Sequence, residues 1–157
     1  MEERGLIIDF LRRVILSGLV GTGAMTLLMS FVTRAGLANA DMVRAIGSVF
    51  TGSLDRALVV GATLYAMGGI IFAALYTFAL SYLPLEGFWQ TFGASTLLGF
   101  VHGFLMSFVL VVVVVEHHPV DKFREAGFGV ALAHLLGHVA YGMGVGLVLG
   151  LFGPRAA

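Results

Sequence analysis

The chain of 157 residues is long enough for one modest domain and too short for two with separate cores. Its residues are 59% hydrophobic and 11% charged, with a mean hydropathy of +0.99. Soluble domains are about 45–50% apolar and about 25% charged, so the composition points to a membrane protein. Nine basic residues balance nine acidic ones, which argues against a nucleic-acid binder or a polybasic membrane-surface protein. Cysteine is absent, and with it disulfides, thiolate metal sites, iron–sulfur clusters and haem attachment through cysteine.

Near the start of the chain, Leu6, Ile7, Phe10, Leu11, Val14 and Ile15 share one helical face. Glu2, Glu3, Asp9, Arg12 and Arg13 take the other. This amphipathic helix leads into the first of four runs free of Asp, Glu, Lys and Arg, which cover 14–33, 57–85, 87–115 and 126–154. A helix needs about 20 apolar residues to cross a hydrocarbon core about 30 Å thick, and each run is long enough. The first exceeds a signal-peptide core and carries Gly18, Gly21 and Gly23, which suit a packed membrane helix, so it is expected to be retained.

Between the first two runs, Met42, Val43, Ile46, Val49 and Phe50 repeat at helical spacing. Asn39 is the expected N-cap, Gly52 the stop and Ser53 the cap of the next helix. This short helix, 39–51, is expected to lie in the interface or to pack back over the mouth of the bundle. The second span, 57–83, is closed by Pro84. The third, 89–115, follows the interfacial Trp89 and ends before Glu116-His117-His118-Pro119, and the fourth covers 126–152. The expected fold is all-α: one integral membrane domain, 1–157, built as a four-transmembrane-helix bundle with an amphipathic N-terminal helix and a short interfacial helix. Orientation is undecided, because Arg4, Arg12, Arg13 and Arg155 share one side while Arg34, Arg44, Arg56, Lys122 and Arg124 share the other.

Small residues let membrane helices approach closely. The last span reads His134-x3-His138-x3-Gly142-x3-Gly146-x3-Gly150, a single i+4 ridge. Gly142, Gly146 and Gly150 on it are candidates for helix packing. Gly99-x3-Gly103 marks the third span, and Gly61 with Gly68-Gly69 marks the second, where Tyr65, Phe72 and Tyr76 extend the stripe. Gly21-Thr22-Gly23 is no phosphate loop, since no lysine follows and no strand precedes it.

Ionisable residues inside spans are costly and stand as functional candidates. Here they are His102, His134 and His138, with His117 and His118 at the end of the third span. At ~1.5 Å per residue from the shared loop, His102 lies roughly 21 Å deep, His138 roughly 18 Å and His134 roughly 12 Å. His102 and His138 can then meet on facing helices. One reading is bis-histidine haem b, with Gly99, Gly103 and Gly142 making room for the macrocycle. A second is a metal ion held by His134, His117, His118 and Glu116 near the mouth. A third is a proton relay. The plain alternative is a structural imidazole bonded to a carbonyl or to a serine such as Ser107. No zinc-protease pattern, nucleophile elbow or intramembrane aspartate supports an enzyme.

The pieces Gly21-Thr-Gly-Ala-Met-Thr-Leu-Leu-Met29, Asp41-Met-Val-Arg-Ala-Ile-Gly-Ser-Val-Phe50, Gly68-Gly-Ile-Ile-Phe-Ala-Ala-Leu-Tyr76 and Gly137-His-Val-Ala-Tyr-Gly142 occur in this order. In this the chain resembles an uncharacterised family of small four-span bacterial and archaeal integral membrane proteins, a domain of unknown function. The resemblance covers nearly the whole chain through short, glycine-rich motifs. It implies four helices and a multi-pass place in a prokaryotic inner membrane, and it brings no activity or catalytic residue. Where the family's second span often carries a histidine, this chain has Tyr65.

The expected function is a non-catalytic small membrane subunit, accessory to a respiratory or other redox complex or part of a homo-oligomer. The 38–52 helix and the 142–150 ridge are its expected docking surfaces. The alternative is a small oligomeric transporter or channel whose polar path is lined by His102, His134, Thr22 and Thr26.

Overall fold

The computed structural model describes residues 2–110, 112, 115–125 and 127–153. Arg155 and the last residues of the fourth charge-free run lie outside them. The elements in chain order are α1 (Glu2–Arg34), α2 (Met42–Thr51), α3 (Leu54–Ser81), α4 (Phe88–Val109), the single turn α5 (Val115–His117), a 3₁₀ turn (Asp121–Phe123) and α6 (Phe128–Phe152). Among the described residues there is no strand. Helices α1, α3, α4 and α6 are each long and apolar enough to cross a membrane, and the chain is a multi-pass four-helix membrane bundle.

The amphipathic start and the first span are one unbroken helix, α1. It stops where Gly36 takes a left-handed conformation, with φ of 69°. The Leu37 N–H then donates to Val32 O and the Gly36 N–H to Thr33 O, which satisfies the last carbonyls in the Schellman manner. The N-cap of α2 is Asp41, whose carboxylate accepts from the Arg44 N–H at 3.2 Å, and not the expected Asn39. The Asn39 amide instead donates to Lys122 O. Gly52 ends α2 in the left-handed region and the Ser53 hydroxyl caps α3.

The regular α-helical part of α4 ends at Val109. Leu110 and Val112 belong to a wider, π-type turn, and 111, 113 and 114 lie outside the described residues. The sequence there is a run of valines, whose β-branched side chains crowd the preceding turn of a helix.

The four spans form an arc in the order α4–α6–α1–α3. Each contact along it runs through small residues. The buried residues of α4 are Thr91, Ser95, Gly99 and Gly103, one i+4 ridge laid against α6. A Cβ at Gly99 would stand 2.5 Å from His138 O, and one at Gly142 would stand 2.5 Å from Ser95 O. Gly146 and Gly150 press on Phe92 and Phe88 of α4 in the same way. The 142–150 ridge is therefore spent inside the molecule and is not a docking surface for a partner, correcting the expectation. On another face of α6, Gly144 meets Gly21 and Gly137 meets Met25 and Met29 of α1. Gly18 of α1 meets Gly69 and Ile70 of α3.

Helix α2 packs along α3, backbone to backbone at Gly47 and Gly61, where any Cβ would collide with the Ala57 and Val43 carbonyls. Its other side is held by His118, buried at 1% exposure. The Nε2–H of His118 donates to Ala45 O at 3.0 Å, and its Nδ1 accepts from the Val120 N–H at 3.1 Å. Between the ends of the arc, α3 and α4 are joined by a short turn and touch sparsely, chiefly where the Phe72 ring lies 4.1 Å from that of His102.

Candidate functional site

Inside the arc the packing opens into a cavity of about 150 Å³. Every spanning helix contributes to it: Thr22 and Met25 from α1, Tyr65 and Phe72 from α3, His102 and Met106 from α4, and His134, His138 and Tyr141 from α6. Ile46 of α2 closes one edge.

The three span histidines stand in a row. The His102 and His138 ring centroids are 4.4 Å apart at 73°, and those of His134 and His138 are 4.5 Å apart at 65°. The i+4 spacing of His134 and His138 sets them on consecutive turns of α6. Gly103 lets His102's helix approach, since a Cβ there would meet His138 Cβ at 2.7 Å. His138 Nδ1 lies 3.0 Å from His134 O. A carbonyl only accepts, so His138 donates from Nδ1, and in the neutral ring its lone pair is on Nε2. His102 Nδ1 meets the Tyr76 hydroxyl at 3.2 Å. The Tyr76 ring stands edge-on to that of Tyr141, whose hydroxyl donates to Gly69 O at 2.6 Å.

Four side-chain atoms here are buried and have no hydrogen-bond partner among the described residues: Thr22 Oγ1, the Tyr65 hydroxyl, His102 Nε2 and His134 Nδ1. They come one from each spanning helix, and all four residues line the same cavity. An unsatisfied buried polar group costs about 1–3 kcal/mol, so four amount to roughly 4–12 kcal/mol. That rivals the whole stability of a small domain, about 5–15 kcal/mol. The physical expectation is a hydrogen-bonding occupant that satisfies them.

Two sides of the cavity differ. Tyr65 also lines a larger, more polar cavity of about 480 Å³, whose wall includes Ser30, Thr33, Arg34, Asp41 and Arg44. This vestibule opens at the end of the bundle where α1 stops and α3 begins. Beyond Tyr76 the bundle is closed by Ala73, Leu80, Val145 and Leu149, all fully buried.

The residues do not fit a haem held between His102 and His138. Two axial imidazoles stand on opposite faces of a macrocycle, with metal–nitrogen bonds of about 2 Å on each side. Centroids at 4.4 Å are those of rings in direct contact, with no slab between them. Gly99, Gly103 and Gly142 make no room for the macrocycle either, because the opposing helix backbone fills the space that they leave. The expected metal group is also not assembled. His118 is engaged with Ala45 and Val120, Glu116 and His117 are exposed, and His134 sits with His138. Among the described residues no group of three or more His, Asp or Glu is arranged to hold a metal ion. Ser107 serves no histidine, since its hydroxyl donates to Ala131 O.

Tyr65 and Tyr76 read in the sequence as fillers of glycine gaps. Both carry a hydroxyl at span depth, where hydrocarbon offers no partner, and that is the signal for a role beyond packing.

No curated protein and no solved structure matches the chain. A family model does match, over residues 11–157: the chain belongs to a family of unknown function, DUF6789.

Proposed function

We propose that this protein is a non-catalytic membrane subunit whose working part is the histidine-lined cavity, a site for one small hydrogen-bonding ligand inside the bundle. The observation that carries this reading is the convergence of one unpartnered polar atom from each spanning helix on that cavity. Packing alone favours apolar residues at such positions, and four unpaired groups in one place are a cost that a ligand offsets. A larger redox complex remains the proposed host. With the α6 ridge spent inside the bundle, its proposed docking surface is the 38–52 helix, where Val49 and Phe50 are exposed.

The test is mild purification from membranes, followed by absorption spectroscopy, elemental analysis and solvent extraction. Wild type is compared with the double variant His102→Leu, His134→Leu. One species held near one per chain by wild type and lost from a folded double variant supports the reading. Equal contents of every species in the two proteins overturn it, and a Soret band in wild type overturns the exclusion of haem.

The vestibule favours a second reading, a one-sided polar path of a small oligomeric transporter, because Tyr65 belongs to both cavities. Solute flux into liposomes that falls in His134→Ala is its signature.

A further inference from the structure

We propose that the cavity takes the single-ring, uncharged headgroup of a membrane-soluble quinone or quinol, which enters between α3 and α4. This rests on the reading of the cavity as a ligand site and adds the chemical class of the ligand.

Four features of the cavity lead to it. Its apolar lining includes Leu64, Gly68 and Phe72 of α3 and Met106 of α4, all half-buried and none charged, with the Phe72 ring against that of His102 at 4.1 Å. Gly68 and Phe72 lie near the middle of α3, at the depth of the hydrocarbon, so a ligand dissolved there reaches the cavity at its own level, past the Phe72 ring. Among the described residues, no Asp, Glu, Lys or Arg lines the cavity. A fatty-acid carboxylate, a lipid phosphate or an amine would enter without a counter-charge and lose its hydration uncompensated.

Size narrows the choice further. A cavity of about 150 Å³ is one that accepts a benzene-sized ring. Finally, the free polar atoms lie on opposing helices. Thr22 and Tyr65 belong to α1 and α3, whereas His102 and His134 belong to α4 and α6. Hydroxyls and neutral imidazoles can each donate or accept. A ring with an oxygen at both ends uses both sets, as carbonyls in the quinone or hydroxyls in the quinol. An aliphatic alcohol has one polar end and leaves one set unpaired.

The experiment uses the full-length protein in nanodiscs with ¹⁵N-labelled histidine, and follows the imidazole signals by NMR. The probes are 2-decyl-1,4-benzoquinone, 1-decanol, decanoate and, from the aqueous side, imidazole and zinc chloride. The absence of cysteine leaves no thiol for the quinone to alkylate. The expected result is a saturable shift of the His102 and His134 signals with the quinone, at least tenfold stronger in affinity than with decanol or decanoate. His118, bonded elsewhere, stays unmoved. Thr22→Val and His102→Gln each weaken quinone binding at least tenfold while the His118 signal keeps its place, which reports an intact fold.

Equal shifts with decanol and quinone overturn the headgroup assignment and leave the ligand site standing. So does a response to imidazole or zinc alone. No shift of His102 or His134 with any probe overturns both the headgroup assignment and the ligand-site reading.

Discussion

The Tyr76 hydroxyl and His102 Nδ1 meet at 3.2 Å, and this contact, beside the Phe72 ring 4.1 Å from that of His102, ties α3 to α4. It holds one wall of the histidine cavity against the other. Tyr76→Phe removes the tie and leaves a second nitrogen of His102 unpaired. Stability should fall by about 1–3 kcal/mol, as measured by denaturant unfolding in detergent. The His102 imidazole signal should move as well. An unfolding curve superimposed on that of wild type would show that the contact is not made.

The neighbouring tyrosine gives a sharper prediction. Tyr141 bonds Gly69 O at 2.6 Å, and its ring lies edge-on to Tyr76 with centroids 5.6 Å apart. Residues in such contact do not act independently. A cycle of Tyr76→Leu, Tyr141→Leu and the double variant, which removes the edge-on ring contact, should give a coupling of about 0.5–1.5 kcal/mol. Simple additivity would show that the two rings serve separate parts of the fold.

Glycines divide by what surrounds them. Gly99→Ala and Gly142→Ala each place a methyl carbon about 2.5 Å from the opposing helix backbone, which cannot move without parting α4 from α6. Each should cost about 1–3 kcal/mol by overpacking. Gly23 and Gly93 have nothing within 4 Å of an added Cβ. Alanine there should be neutral or should stabilise by about 0.5–1 kcal/mol through lower backbone entropy. Thermal unfolding of the four variants side by side checks the contrast, and similar losses in all four would refute it.

His118 predicts a local effect. It fastens the 116–125 loop to α2 through Ala45 O, so His118→Ala should free α2 before the rest of the bundle. Hydrogen exchange should rise at least tenfold in 42–51, while α6 keeps its protection. Uniform change along the chain would mean that His118 supports the whole bundle instead.

Much of this architecture was legible in the chain because its signals are local. The four spans follow from the gaps between charges, and Gly52 and Ser53 mark the boundary of α2 and α3 from residue type alone. Asn39 and Asp41 compete as caps on equal chemical terms, and only the path of the backbone after Gly36 places Asp41 at the helix start. The i+4 glycines of α6 announce a close contact but do not name the neighbour. That choice is tertiary: Gly142 faces the ridge of Ser95 and Gly99, while Gly137 and Gly144 face α1. The depth of His102 and His138 could be counted from the loop. The cavity could not, because Thr22, Tyr65, His102 and His134 sit on four different helices, and nothing in their spacing relates them.

Helix α6 lies between α4 and α1, yet it is synthesised after both. During synthesis the small-residue grooves at Gly99 and Gly103, and at Gly21, have only lipid to face until α6 arrives. Of the three earlier spans, α1 and α3 share a contact at Gly18 and Gly69, whereas α4 waits for its main neighbour, and the histidine row is completed in a single late step. Ribosome-bound chains that stop before α6 should be open to proteases and quality control, and release of the last helix should convert them to the compact form.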